Sequence, residues 1–369
     1  MAKPGCGCGA TGSLTMISVS RVQLAGGYTI PRLVTGAWQL SAGHAIEPLE
    51  RDAVLASFTA LVDHGFTAFD CADIYTGVEE LLGEFLAGLP VETRGRVQVH
   101  TKFVPDRDAL ARVDRRYVET IIDRSLARLG VERLDLVQFS WWDYGVPGYV
   151  DVAGYLAELR RAGKIRLLGA TNLDVVRLAE IVDAGVPMVS NQVQYSLLDA
   201  RPEEGMVAFC KKRGMALLCY GALAGGFLSK AWVGAAGPPD HPANRSLIKY
   251  GLIIEEFGGW ALYQELLEAL SGIADKHGVS IATVALRWVV DRPAVAAPIV
   301  GISRSDRTAD NLAAFSLALD DDDRRDIDAV LSRRSGPPGD VFGLEREPGG
   351  KHAAIMRYNL NQEDAVGGS

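Results

Sequence analysis

Three residues of this sequence, Asp70, Tyr75 and Lys102, have the types and spacing of a proton-transfer site. The first two lie in Phe69-Asp70-Cys71-Ala72-Asp73-Ile74-Tyr75, where one apolar run ends. Lys102 ends the next run, Val97-Gln98-Val99-His100-Thr101-Lys102. An isolated tyrosine is a poor acid at neutral pH, with a pKa of about 10. A neighbouring ammonium stabilises the phenolate and lowers that value, and a carboxylate keeps the lysine charged and oriented. Such a set suits protonation of an oxygen that turns negative as hydride reaches its carbon. An Asp–Lys ion pair beside a rim tyrosine has the same spacing and does no chemistry.

Such residues work together only if the chain brings the ends of consecutive strands to one place. Strand-like runs recur near Leu33–Ala37, Thr67–Asp70, Val97–Thr101, Leu134–Phe139, Ile165–Ala170, Met188–Gln192, Ala216–Cys219 and Ala297–Val300. Amphipathic helical patterns separate them: Arg51–His64, Glu79–Ala87, Arg115–Leu129, Tyr149–Ala162, Leu173–Ala184, Pro202–Arg213 and Ala261–His277, with a further one at Ile281–Val290. Eight strand-then-helix units predict an α/β fold, a closed (β/α)8 TIM barrel with strands buried on both faces. An open doubly wound sheet would need a Gly-rich turn after its first strand, and Thr35-Gly36-Ala37-Trp38 does not supply one. Ile17–Leu24 and Tyr28–Leu33, joined through Ala25-Gly26-Gly27, predict an N-terminal β-hairpin. In a barrel, Asp70, Lys102 and Ser140 occupy equivalent C-terminal strand ends and share one mouth.

Three regions are expected: a disordered tail over 1–15, a barrel over 16–333 and a C-terminal extension over 334–369 packing near the pocket. Ser229–Trp260 and Arg333–Ser369 exceed ordinary loop length and read as lids, binding loops or disorder at the C-terminal face. Gly7-Cys8-Gly9-Ala10-Thr11-Gly12 matches a dinucleotide fingerprint literally, yet no strand precedes it and no helix follows. Cys6 and Cys8 are two ligands in a flexible tail, so no metal site is expected. The chain has 369 residues, 48% hydrophobic and 23% charged, which reads as soluble and globular. A net charge of −8 disfavours nucleic acid or anionic membrane as main partner. Five cysteines without disulfide-like spacing, and a start unlike a secretory signal, read as cytoplasmic. The oligomeric state is not readable.

The segment Phe-Asp-Cys-Ala-Asp-Ile-Tyr, followed by Glu79, Gly83 and Thr101-Lys102, resembles the active-site signature of the aldo-keto reductases. The similarity runs from residue 17 to 330 and covers most of the chain. It implies Tyr75 as general acid, Lys102 as its pKa partner and Asp70 as the lysine's counter-ion. Gly169-Ala170-Thr171-Asn172 and Asn191-Gln192-Val193-Gln194-Tyr195 resemble the fifth- and sixth-strand motifs, so Asn172 and Gln192 are expected to hold a nicotinamide carboxamide. Tyr220 matches the aromatic that stacks on the nicotinamide ring, with Gly221, Leu223 and Gly225 near the pyrophosphate. Gly301, Ser303, Arg304, Arg307 and Asn311 match the adenosine segment, and their hydroxyl and guanidinium groups favour NADP(H) over NAD. Trp38 matches a tryptophan beside the nicotinamide ribose. Trp38, Tyr75, Trp141 and Trp142 are expected to line the substrate pocket, and Tyr144 adds a further ring, which points to an apolar or ring-bearing small-molecule substrate.

One position departs from that pattern. The family's fourth-strand motif places a histidine five residues after its aspartate, where Asp135-Leu136-Val137-Gln138-Phe139 is followed here by Ser140. The missing imidazole would donate to the substrate carbonyl; serine also donates, over a shorter reach. Losing one such donor costs about 2.7–4 kcal/mol, or roughly 10²–10³ in rate. None of the six histidines is an obvious substitute: His100 points inward one layer below Lys102, and His64 and His277 end helical patterns. His44, His241 and His352 lie in a loop or the long segments, from which a side chain can reach the mouth, although most loop histidines face solvent. Three activities fit: NADPH-dependent carbonyl reduction; altered chemistry on the same scaffold, such as conjugated C=C reduction or redox-neutral dehydration or isomerisation; and a non-catalytic NADP-binding regulatory subunit.

Overall fold

The alternation of apolar runs and amphipathic helices closes into a barrel of eight parallel strands. The computed structural model describes residues 19–41, 50–239, 242, 244–301 and 307–361; the expected disordered tail lies outside them. A two-stranded hairpin, β1 (Arg21–Ala25) and β2 (Tyr28–Pro31), precedes the barrel strands β3 (Val34–Gly36), β4 (Ala68–Asp70), β5 (Gln98–Phe103), β6 (Leu134–Phe139), β7 (Ile165–Thr171), β8 (Met188–Gln194), β9 (Ala216–Tyr220) and β10 (Val295–Gly301). Each barrel strand pairs with its sequence neighbour, and β10 returns to β3 to close the ring. The expected barrel strands are thus present, with ends differing by at most two residues.

The apolar runs are continuous because the barrel strands are covered on both sides, by the lumen within and by helices without. Two packed regions result. Most of the core lies between strands and helices, including Phe58, Phe69, Phe85, Ile122, Phe139 and Leu156. A smaller cluster fills the lower lumen: Val34, Ala68, Leu136, Leu167, Leu218 and Ala297, plugged from below by Leu24, Tyr28 and Ile30 of the hairpin. The hairpin can reverse over two residues because Gly27 takes a φ of 69°, which a side chain would resist.

Ser229–Trp260 departs from expectation. Instead of an irregular loop it contains a helix, Arg245–Phe257, whose N-terminus is capped by Asn244 accepting from Leu247 N at 2.9 Å. Tyr250, Ile253, Ile254 and Phe257 fall on its buried face with i, i+3, i+4, i+7 spacing. The surrounding Gly and Pro residues had obscured that period.

The segment after Arg334 is laid along this helix and across the C-terminal end of the barrel. Ser335 N donates to Phe257 O (2.9 Å), Lys351 pairs with Glu255 (2.8 Å), and Arg245 donates to Ile355 O. On the barrel side Asn361 bonds Asp106 and Val104 (both 2.9 Å), and Arg346 donates to Trp141 O (2.9 Å). The anchor is Glu345, a buried carboxylate 3.1 Å from Arg201 and 3.6 Å from Lys249, with Arg201 also bound to Asp199 at 2.7 Å. Burial opposes ionisation of Glu345, but Lys249 and Arg201 outweigh it and hold the carboxyl at about 2. Removing one member leaves an uncompensated buried charge. Glu345→Ala should therefore lose about 3–5 kcal/mol in urea denaturation. It should also speed tryptic cleavage within 335–361; an unchanged midpoint and cleavage rate would mean the tail is anchored elsewhere.

Candidate active site

Side chains alternate along a strand, so residues two beyond the lumen floor point into the lumen above it. Asp70, Lys102, Gln138 and Tyr220 stand two residues beyond Ala68, His100, Leu136 and Leu218. Asp70, Lys102, Gln138 and Gln192 are all buried and bonded to one another. Lys102 Nζ lies 2.6 Å from Asp70 Oδ2 and donates to Cys71 O at 2.7 Å. Asp70 Oδ1 accepts from Gln138 Nε2 (2.8 Å) and Gln192 Nε2 (2.7 Å), and Gln192 Nε2 also donates to Gln138 Oε1 at 2.8 Å. Burial alone would lower the Lys102 pKa, but Asp70 and Tyr75 reverse this and keep the ammonium charged beyond the ordinary lysine range.

Tyr75, half-buried in the turn after β4, has its ring centroid 4.9 Å from Lys102 Nζ and packs edge-on against Trp38 at 5.0 Å. The structure thus brings Asp70, Tyr75, Lys102 and Trp38 together. The expected fall in the phenol's pKa does not follow: burial pushes Tyr75 up to about 12, and the opposing pull of Lys102 is the smaller effect. Other signature residues have structural roles. Glu79 accepts from Thr101 Oγ1 at 2.6 Å and pairs with Arg128. A Cβ on Gly83 would sit 2.2 Å from Arg128 O, so glycine permits helices Val78–Gly88 and Arg115–Leu129 to touch.

The ends of β7, β8 and β9 lie side by side. Asn172 takes a left-handed φ of 59°, its N–H donates to Gln192 O at 2.9 Å, and its Oδ1 accepts from Tyr220 OH at 2.9 Å. Asn172 Nδ2 and Gln192 Oε1 have no hydrogen-bond partner among the described residues. An amide donor and an amide acceptor are therefore available on adjacent strand ends. Beyond them the expected glycine cradle is covered: a Cβ on Gly221 would meet Tyr250 Oη at 2.4 Å, and one on Gly225 would meet its ring at 2.7 Å. Leu223 is half-buried in the same turn. At the end of β10, Gly301 is likewise packed against Gln39. Arg307 is exposed at the start of helix Thr308–Ser316, which carries Asn311, and its guanidinium has no described carboxylate partner. Ser303 and Arg304 lie outside the described residues.

Ser140 follows β6 with its N–H bound to Phe103 O at 3.1 Å and its hydroxyl bonded to no described residue. Trp141, expected in the pocket wall, is instead fully buried against Phe139 and Tyr149, with its indole N–H on Val146 O at 2.9 Å. The reason is alternation: if Gln138 and Ser140 face the lumen, Trp141 faces the helical shell. Trp142 returns to the mouth, edge-on to Tyr358 at 5.2 Å and near Phe342 at 6.3 Å, both from the C-terminal segment. Its buried Nε1 has no described partner. Tyr144 is covered by Arg346, 4.2 Å from its ring.

The model of the aldo/keto reductase family matches residues 32–332. The chain belongs to this family. As an aldo/keto reductase it is an oxidoreductase, and the family binds nicotinamide cofactors. It is 28% identical over 348 residues to probable aldo-keto reductase 1 of Glycine max, across 92% of this chain and 95% of that protein. It is 30% identical over 305 residues to flagellar radial spoke protein 5 of Chlamydomonas reinhardtii, across 66% of this chain and 58% of that one. A glycerol dehydrogenase of Gluconobacter oxydans shares the fold, with TM-score 0.72 and 23% identity over 86% of this chain and 97% of that one.

Sequence reasoning passed over Gln138, Lys249, Tyr250, Glu345 and Arg346 in this aldo/keto reductase. Gln138 had left a signal, as a polar residue at an inward position of an apolar run. His100 does lie one layer below Lys102, bonded through Nε2 to Tyr28 OH at 3.1 Å. Burial lowers its pKa from 6.5 to about 4. The folded protein therefore binds fewer protons than the unfolded chain between those values, so stability falls as pH drops from 6.5 toward about 4. Thermal melts should show this acid-side loss, and His100→Gln should reduce it; an equal loss in both proteins would remove His100 as its source.

Proposed function

We propose that this chain is an NADPH-dependent carbonyl reductase in which Tyr75 is the general acid, supported by Lys102 and Asp70. The observation that carries this reading is the buried Lys102 ammonium, held 2.6 Å from Asp70 and beside the Tyr75 ring. NADPH, when bound, supplies the hydride. Asn172 Nδ2 and Gln192 Oε1 offer the donor and acceptor that its carboxamide requires. Tyr220 offers a ring at the same strand ends, and Trp38 stands beside Tyr75. The guanidinium of Arg307, which has no carboxylate partner among the described residues, with Ser303 and Arg304 in sequence, favours the 2′-phosphate of NADPH.

A phenol whose pKa is about 12 stays protonated through the working range, as an acid must. It gives up its proton when the substrate oxygen becomes an alkoxide, a stronger base than phenolate. The Lys102 ammonium then stabilises the phenolate left behind. Ser140 Oγ and Trp142 Nε1, both without described partners, are the donors available to hold the carbonyl where the family has histidine. Trp38, Trp142, Phe342 and Tyr358 would form an aromatic wall suited to an apolar or ring-bearing substrate.

Stopped-flow mixing of the NADPH-loaded protein with aldehydes, ketones and enones tests the reading directly. Carbonyls should oxidise the cofactor, and Tyr75→Phe should slow the step by about 10² or more. Oxidation by enones alone would favour C=C reduction, and tight binding without any oxidation would exclude reduction altogether. The pH dependence should be asymmetric. Carbonyl reduction needs the phenol and should show no alkaline loss between about pH 6 and 9, whereas alcohol oxidation needs the phenolate and should rise across that range.

A further inference from the structure

We infer that Gln138, acting together with Gln192, is a positioning residue that fixes which oxygen of Asp70 receives Lys102. The inference rests on the reading of Tyr75 and Lys102 as the proton-transfer pair. A carboxylate with one cationic partner can turn about its side-chain bond and offer either oxygen, and the lysine would follow. Here the two oxygens have different partners: Oδ2 takes Lys102 at 2.6 Å, and Oδ1 takes two amide N–H groups, from Gln138 at 2.8 Å and Gln192 at 2.7 Å.

The orientation of both amides follows from chemistry. An ionised carboxylate only accepts, so each glutamine must turn its NH2 toward Asp70. Gln192 then directs a second N–H to Gln138 Oε1 at 2.8 Å, and its own Oε1 has no partner among the described residues. Gln138 is fully buried and has partners at both ends, with Thr101 O at 3.5 Å as a further acceptor. Lys102 gives one N–H to Asp70 and one to Cys71 O at 2.7 Å. With those two directions fixed, tetrahedral geometry fixes the third, and Nζ itself lies 4.9 Å from the centroid of the Tyr75 ring. Gln138 thus sets the ammonium's orientation through Asp70 without touching a reacting atom. A buried ion pair is sustained only when its remaining lone pairs are satisfied, and the two amides satisfy Oδ1.

A merely space-filling Gln138 would make different predictions. Gln138→Leu, close in volume, should keep its circular dichroism and bind NADPH within about twofold of wild type, while kcat falls about 10–100-fold with little change in KM. Gln138→Glu adds a titration. Its protonated carboxyl can donate to Asp70 as the amide does, whereas its ionised form repels that carboxylate. Its kcat should therefore fall as pH rises through the new carboxyl's pKa, a limb absent from wild type. A third readout is independent of turnover. In protein labelled with ¹⁵N-lysine, the Lys102 ammonium should exchange its protons slowly, and Gln138→Leu should speed that exchange by about 10-fold or more. If wild type reduces no carbonyl, the functional reading fails while the exchange still tests the clamp. Unchanged kcat and unchanged exchange in Gln138→Leu would overturn the inference. So would weakened NADPH binding at constant kcat, which would assign Gln138 to the cofactor.

Discussion

The structure is organised around one ammonium ion held out of water inside a β-barrel. Lys102 is 4% exposed, in a setting where an isolated charge would lose its proton. Asp70 prevents that, and Gln138 and Gln192 satisfy the oxygen that Asp70 does not give to the lysine. A closed barrel supplies this set because its strands deliver side chains to one lumen at fixed heights. Below this layer the lumen is filled mainly by apolar side chains, with His100 bonded to Tyr28 OH of the hairpin among them.

The mouth is itself covered by protein. The helix Arg245–Phe257 lays Tyr250 over the glycines after β9, and the C-terminal segment brings Phe342, Arg346 and Tyr358 beside Trp142. These two segments are joined to each other by Ser335, Lys351 and Arg245 and to the barrel by Glu345 and Asn361. Stability at this end of the molecule and access to the site therefore depend on the same contacts. Lys249 illustrates the overlap: it pairs with Glu345 while lying 4.9 Å from the ring of Tyr220, at the mouth.

Much of the barrel and its polar layer was legible because strands and helices leave different periods in the sequence. Alternation put Asp70, Lys102 and His100 inside, and the eightfold succession gave closure. The same rule, carried past the end of β6, turns Trp141 outward, but an aromatic run next to a suspected site reads more readily as pocket wall. Helix Arg245–Phe257 had its cap and apolar spacing in view and was masked by neighbouring Gly and Pro residues.

By itself, the sequence determined the barrel, the inward placement of Asp70 and Lys102, and the identity of residue 140 as serine. These are local matters, decided by side-chain period and by residue identity. Only the tertiary structure decided that burial outweighs Lys102 in setting the Tyr75 phenol, that two glutamines hold Asp70, and that Glu345 pairs with Arg201 across 144 residues of chain. Those outcomes depend on desolvation and on contacts between distant segments, and neither is encoded in the spacing of neighbouring residues.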